Sequence, residues 1–468
     1  MTRSRRGRWA PIARGLLLLA AILLLPLAAM VQMPRQTAAQ TSSQDSLWAG
    51  RQTVAACANP SSPASLAGCF SAPAAVAGKI SAVATDGVNV YYTTQRLGGY
   101  SCPIADLGAN CTRIMAGPWP KRGGFETKNI VNSLVAYDGQ IWFGQATGEI
   151  YRCPANIPYA KQNNAPPGCT LLDDAGKRPV GALLLANGRL YAGLSYAGEG
   201  DEQKKQGILW SCDPQAVNAC ENLDYYGKTV AMSLAAGGGY LWAGLNNGIL
   251  WRCDLNAANA CANWDTAGYP INSISYDGQG TIYAAVYDEN DTYGTNGVIW
   301  SCPTAAANQC SNLISGISGV SVAAGDGSVF SSTSVGLNFG TSAFSEAFSN
   351  LKEATLLYVP AGGVTGVGGV SVALHGGKWT DTLGKRCAAG GKGLKGSVQV
   401  TGPGGHDKTV AVNLCALAKG GSVEETFDLL DQGTYTVTVK AGKHSGEASF
   451  TIVQDRTKTV NVKLTRGG

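Results

Sequence analysis

Beyond residue 40 the chain alternates apolar and polar side chains over short runs such as VNSLVAY, YTVTVKA and TVNVKL. A two-residue period puts successive side chains on opposite faces of an extended backbone, so each run predicts a half-buried β-strand. Shorter, almost wholly apolar runs such as IWFG, LYAG and LWAG predict further short strands. The junctions between the two kinds of run carry Asp86-Gly87, Asp138-Gly139, Asn187-Gly188, Asp277-Gly278 and Asp326-Gly327. Such pairs supply the positive φ angles of tight hairpin turns, which accounts for the recurring aspartates without giving them any chemistry. No helical period is sustained after the first thirty or so residues, and the expected class is all-β.

The strands recur as a unit. VNSLVAYDG leads to IWFG and EIYRC; MSLAAGGG leads to LWAG, ILWRC and ACANWD; INSISYDG leads to IYAA, VIWSC and QCSNL. A repeat of about fifty residues predicts stacked four-stranded units, with strands denoted a to d. Residues 46–70 supply strands b, c and d with no strand a before them, and residues 349–363 supply a strand a with no b after it. The two ends therefore complete one unit, and with units starting near residues 76, 130, 180, 230, 271 and 319 the expected count is seven.

The cysteines follow the repeat. They pair in sequence as Cys57 and Cys69, Cys102 and Cys111, Cys153 and Cys169, Cys212 and Cys220, Cys253 and Cys261, Cys302 and Cys310, then Cys387 and Cys415. None forms the Cys-x-x-Cys unit of a zinc site, and an even number in local pairs predicts disulfides, six of them closing c-to-d hairpins. Tyr100, Tyr151, Trp210, Trp251 and Trp300 each precede a first cysteine by two residues, a fixed strand position that predicts packing between units.

Four-strand units with LYAG, LWAG and GILWRC signatures resemble the blades of secreted, Asp-box-like β-propellers, with a cysteine hairpin standing where an Asp-box would be. The resemblance covers residues 46–363 and implies a seven-bladed propeller over residues 40–363, closed by strands from both chain ends. Residues 364–468, after the Gly-rich AGGVTGVGG, contain SVQVTG, TVAVNLC, YTVTVKA and ASFTIV, which predict a small antiparallel β-sandwich. Its run FDLLDQGTYTVTV resembles Ig-like or transthyretin-like sandwiches, which implies a spacer, clasp or binding unit.

Charge and the N-terminus set the compartment. Arg3, Arg5, Arg6, Arg8 and Arg14 precede an apolar run over residues 16–31 and then Thr37-Ala38-Ala39, so residues 1–39 read as a signal peptide for the general secretory route or as an uncleaved membrane anchor. Secretion or residence in the cell envelope is expected, with a membrane contact only through this segment if it stays uncleaved. Without the six arginines of residues 1–39, Arg35 being the sixth, the chain has 30 basic and 31 acidic side chains, and residues 40–363 hold 17 and 23. A mildly acidic surface argues against nucleic acid as a partner.

The propeller part has no histidine; His375, His406 and His444 all fall in Gly-rich or Lys-rich loops of the sandwich and read as surface residues. No G-x-S-x-G, H-E-x-x-H or P-loop motif is present, so no catalytic residue is assigned. The loop AVYDENDTYGTNG places Asp288, Asn290 and Asp291 like the start of a calcium loop but lacks the Gly and distant Glu of an EF-hand; it is the one candidate metal site, and no other cofactor is expected. Groups suited to binding concentrate in the d-to-a loops: Trp119, Arg122, Tyr225, Tyr226 and Tyr269. These predict a non-catalytic protein that binds a glycan or a protein through that loop face. The alternatives are a carboxylate- or calcium-assisted hydrolase or lyase acting on extracellular carbohydrate or a lactone, and a structural envelope component.

Overall fold

The structure, a computed structural model, describes the strands between Ser46 and Arg466 and most of the turns that join them. Residues 1–45 and the longer loops lie outside the described residues, among them 59–73, 116–119, 126–130, 156–167, 196–207, 225–228, 256–260, 288–296, 340–354, 376–386 and 418–421.

From Ile80 to Ser315 the chain builds five consecutive sheets of four antiparallel strands in sequence order, as in Val131–Tyr137, Gln140–Gln145, Ile150–Pro154 and Thr170–Asp173. A three-stranded sheet follows at Gly319–Gly325, Ser328–Thr333 and Leu337–Phe339. A further sheet joins the chain ends, because Ser46–Gly50 pairs with Thr355–Val359 and continues into Thr53–Ala58 and Ala74–Ala75. The first strand of each sheet packs against the first strand of the next, and Thr355–Val359 packs against both Gly319–Gly325 and Ile80–Thr85. The chain is thus an all-β, propeller-like stack of repeated sheets.

Second strands are buried on both faces. Tyr240–Leu245 (YLWAGL), for example, is covered from its second residue onward, because sheets lie on either side of it. The glycine of this motif sets the spacing: a Cβ on Gly144 would lie 2.3 Å from Val180 of the next sheet, and one on Gly244 2.6 Å from Ile271. First strands carry a β-bulge at one repeated position, between Val131 and Ser133, Ala231 and Ser233, Ile271 and Ser273, and Gly319 and Ser321. At three of these four positions the serine hydroxyl bonds to the next sheet, while Ser233 Oγ is buried without a partner. Ser133 Oγ accepts from Leu183 N at 2.6 Å, Ser273 Oγ from Val322 N at 3.2 Å and Ser321 Oγ from Leu356 N at 3.1 Å. Inner strands have one edge without a ladder partner, and these hydroxyls satisfy it.

The turns carry out the backbone chemistry expected of them. Asp138 and Gly139 have φ of 47° and 68°, and Asn187 and Gly188 48° and 70°, both residues left-handed as a type I′ turn requires. Asp277 Oδ1 accepts the amides of Gln279 and Thr281, and Asp86 those of Val88 and Asn89, so both aspartates shape loops.

Six disulfides form: Cys102–Cys111, Cys153–Cys169, Cys212–Cys220, Cys253–Cys261, Cys302–Cys310 and Cys387–Cys415. They imply an oxidising environment. The Cys57 and Cys69 pair lies outside the described residues. Beyond joining strands c and d, these hairpins reach the preceding sheet. In the spacing Cys-x5-Asn-x-Cys the asparagine is left-handed, Asn218 at φ 54° and Asn308 at φ 55°. Asn218 N donates to Leu172 O at 2.7 Å and Asn308 N to Trp264 O at 2.9 Å. Trp142 and Trp264 return indole hydrogen bonds to Pro214 O and Pro303 O, both at 3.1 Å. The aromatic series on strand c is packed inside: Tyr151, Trp210, Trp251 and Trp300 are buried and Tyr100 half-buried.

The last part of the chain forms two sheets. Val367–His375 lies between Ser422–Asp431 and Thr457–Lys463, and Lys395–Thr401 lies between Asp407–Asn413 and Gly433–Ala441, which continues into His444–Ile452 and Thr465–Arg466. Their inward residues, including Val372, Val400, Phe427, Tyr435, Val437 and Phe450, share one core.

Candidate interaction surfaces

The first strands form the inner wall of the stacked sheets, and by sequence they contain no Asp, Glu, His, Lys or Arg: ISAVAT, VNSLVAY, VGALLLA, AMSLAAG, INSISY, GVSVAAG and TLLYV. Acid–base groups for chemistry at this wall must come from loops at its two ends.

One end bears the a-to-b turns and cysteine hairpins, and the C-terminal sheets seat on it. Their contact is the corner between Ser422–Asp431 and Gly433–Ala441 together with the turn before Asp407–Asn413. Leu429 is fully buried in a cluster with Ala186, Leu241 and Leu255 although its φ is +57°, a strained angle for a branched side chain held in place by the packing around it. Its carbonyl accepts from Gly239 N at 3.0 Å. Asp431 accepts from the Tyr276 hydroxyl at 2.6 Å and from Gly238 N at 3.2 Å, and Asp428 accepts from the Asn187 amide. Lys408 pairs with Asp254 at 2.7 Å.

The triplet Gly237-Gly238-Gly239 is the seat. A Cβ at Gly237 would lie 2.0 Å from the Tyr276 ring and one at Gly239 2.6 Å from the His406 imidazole. His406 is 7% exposed, which corrects its reading as a surface residue: its Gly and Asp neighbours look solvated, but the turn carrying it closes onto this seat. Its Nδ1 lies 3.3 Å from Gly238 O and must carry the proton there, which leaves Nε2 buried without a partner.

Burial dominates the electrostatics. Desolvation pushes the Asp431 carboxyl up to about 6 against the hydrogen bonds from Tyr276 and Gly238, and Asp277 adds to the rise. Desolvation lowers the His406 imidazole, and Lys408 lowers it further while the Gly238 bond and Asp407 oppose. Asp428 is raised by burial, against Asn187, Lys408 and Arg189. The Tyr276 and Tyr435 phenols, also facing Asp431, are raised and stay neutral.

Asp431 and His406 act on the joint with opposite signs. A carboxyl raised on docking contributes stability that is full below its free value of about 3.9 and lost as pH rises through about 6. An imidazole lowered on docking contributes stability that is present above its free value of about 6.5 and lost as pH falls. Asp431→Asn should therefore make the joint weaken as pH drops below about 6.5, and His406→Gln should make it tighten from about pH 6 toward about pH 4. Melting curves across that range, parallel in both variants, would contradict the assignment.

The other end bears the b-to-c and d-to-a loops. Tyr269 lies there, between Cys261–Thr266 and Ile271–Tyr276, and is 40% exposed. Met232, second in its inner strand, is also exposed. Trp119, Arg122, Tyr225, Tyr226 and the calcium candidates Asp288, Asn290 and Asp291 lie outside the described residues. Among the described residues no three His, Cys, Asp or Glu side chains converge as a metal site.

The repeated sheets define a propeller-like class. No protein-family model matches the chain, and neither does any curated protein. Among solved structures it is similar to the WD40 beta propeller domain of Doa1, at 13% identity over 66% of this chain and 96% of that one, with a TM-score of 0.41. It is also similar to a chain of the nidogen/laminin complex (10% identity, 57% and 93% covered, TM-score 0.38) and to one of the mitotic checkpoint complex (11% identity, 64% and 85% covered, TM-score 0.43).

Proposed function

We propose that the chain is an exported or cell-surface, seven-bladed β-propeller with an appended Ig-like or transthyretin-like β-sandwich, and that it binds a protein or glycan partner through its d-to-a loop face. The observation that carries this reading is the occupancy of the two ends. The C-terminal sheets sit on the a-to-b turns, so the surface left for a partner is the end where Tyr269 is exposed and where the sequence places its varied aromatic and basic loop residues. Loops that differ between blades on a repeating scaffold are where a particular specificity can be written. Aromatic rings supply stacking or anchoring area, and Arg122 supplies directed hydrogen bonds. An inner wall without ionisable carboxylates supports binding over hydrolysis.

A glycan array and a protein pull-down with the full chain should identify the partner. Trp119→Ala, Tyr226→Ala and Tyr269→Ala should then each weaken binding by about tenfold or more with little change in melting temperature, as truncated interface anchors do. If affinity survives all three and falls only with changes in residues 364–468, the binding face has been assigned to the wrong domain.

A further inference from the structure

The a-to-b turns carry aspartate at Asp86, Asp138 and Asp277 but asparagine at Asn187. Turn geometry does not ask for the amide. Asp138 and Asn187 share one left-handed backbone, at φ 47° and 48°, and each is followed by a left-handed glycine, so either residue suits the turn. Their surroundings differ. Asp138 is exposed, whereas Asn187 is half-buried and its amide donates to the Asp428 carboxylate of the C-terminal sheets, next to Leu429. An aspartate at this position would face Asp428 carboxylate to carboxylate within a desolvated joint, and two such groups cannot both stay ionised without parting. Lys408 and Arg189 lie near enough to act on Asp428, yet Lys408 is already paired with Asp254. The joint therefore depends on an uncharged amide at Asn187.

Gly188 makes that amide chemically labile. A glycine has no side chain, so its backbone nitrogen is open to attack the side chain of an asparagine that precedes it. Gly188 is exposed, a Cβ on it would meet nothing within 4 Å, and its nitrogen lies outside the ladder, which closes at Ala186 and Arg189. We propose that Asn187-Gly188 is a deamidation site whose conversion detaches the C-terminal sheets from the blades. The Gly188 nitrogen bonds to Asn187 Cγ, the Cγ–Nδ2 bond breaks, and Nδ2 leaves as ammonia with the proton from the Gly188 nitrogen. Water then opens the resulting succinimide ring. Attack at Cγ gives aspartate, and attack at the Asn187 carbonyl carbon gives isoaspartate, each new acid releasing its proton to solvent. Aspartate sets a like charge against Asp428, and isoaspartate also lengthens the main chain of a tight turn. The docked state restrains the reaction, because Asp428 holds Nδ2 and fixes the side chain. Conversion is one-way: a joint that has opened loses the amide it needs to close.

Hydrogen exchange on the full chain at neutral pH tests the consequence. Asn187→Asp should speed exchange of the Gly238 and Gly239 amides, which donate across the joint, by about tenfold or more, while amides within Gly433–Ala441 stay protected. Asp138→Asn should change neither. Asn187→Asp combined with Asp428→Asn restores one amide facing one carboxylate and should recover most of the protection. Unaltered protection in Asn187→Asp overturns the proposal, and so does a loss that Asp428→Asn leaves unrepaired, since position 187 would then act through its turn alone. Peptide mass spectrometry of protein aged for several weeks in mildly alkaline buffer tests the reaction itself. Asn187 should convert, and faster when Leu429→Asp has opened the joint; Asn247-Gly248, exposed in a b-to-c turn at the other end of the blades, is the internal reference and should convert equally in both chains. An Asn187 that stays intact in both chains while Asn247 converts overturns the site.

Discussion

Leu429→Asp should release the C-terminal sheets from the blades while leaving both folded. The side chain is fully buried between Ala186, Leu241 and Leu255, contacts that belong to the joint and not to the core of its own two sheets. Removing a buried leucine costs about 2–5 kcal/mol, and an unpaired carboxylate in the same place adds several more. Among the described residues the joint otherwise rests on a few hydrogen bonds and the Lys408–Asp254 ion pair, each contributing about 1 kcal/mol or a little more, so the substitution should outweigh them. Hydrogen exchange reads this locally. The amides of Gly238 and Gly239 donate to Asp431 and Leu429 in the docked state and should lose protection, while those within Gly433–Ala441 keep theirs. Retained protection at Gly238 and Gly239 would show that the joint does not depend on Leu429. Leu429→Gly should cost less than Leu429→Asp, because glycine accepts a φ of +57° without strain.

Replacing both cysteines of one hairpin, Cys302→Ser with Cys310→Ser, should destabilise the protein by about 2.5 kcal/mol from loop entropy alone. The effect should also cross to the neighbouring sheet. The hairpin between these cysteines carries Asn308, whose amide donates to Trp264 O, and Pro303, whose carbonyl accepts a hydrogen bond from the Trp264 indole N–H; Cys310 N donates to Asp265. Freed of its covalent closure, the hairpin has no reason to hold the left-handed Asn308 that aims this amide. Faster exchange at Asn308 and Cys310 and a change in Trp264 fluorescence should accompany the loss of stability. A stability loss with the Trp264 environment untouched would mean that the disulfide acts only within its own sheet.

How much of this could be read from the residues depends on the range of the interaction. The runs VNSLVAY and LWAG, the Asp138-Gly139 turn and the Cys302–Cys310 spacing encode strands, hairpins and disulfides through neighbours a few residues apart, and the repeat multiplies each signal until the architecture is legible. Even the pairing of Ser46–Gly50 with Thr355–Val359 is visible, because two incomplete units imply each other. The serine bridges, by contrast, are invisible as function: Ser273 looks like any polar residue in a strand until the next sheet presents Val322 to it.

The joint was decided by tertiary structure alone. Asn187 and Asp428 are 241 residues apart, His406 and Gly238 168, and Tyr276 and Asp431 155. No local pattern distinguishes Gly237-Gly238-Gly239 from another turn or His406 from a solvated loop residue, since the burial that shifts their chemistry is supplied by a surface folded elsewhere in the chain. Sequence by itself determined what each segment can form, because strand period, turn angle and disulfide loop are local properties of the backbone. Which surfaces meet, and therefore which end of the stacked sheets the C-terminal sheets cover, is a property of shapes that exist only after those segments have folded.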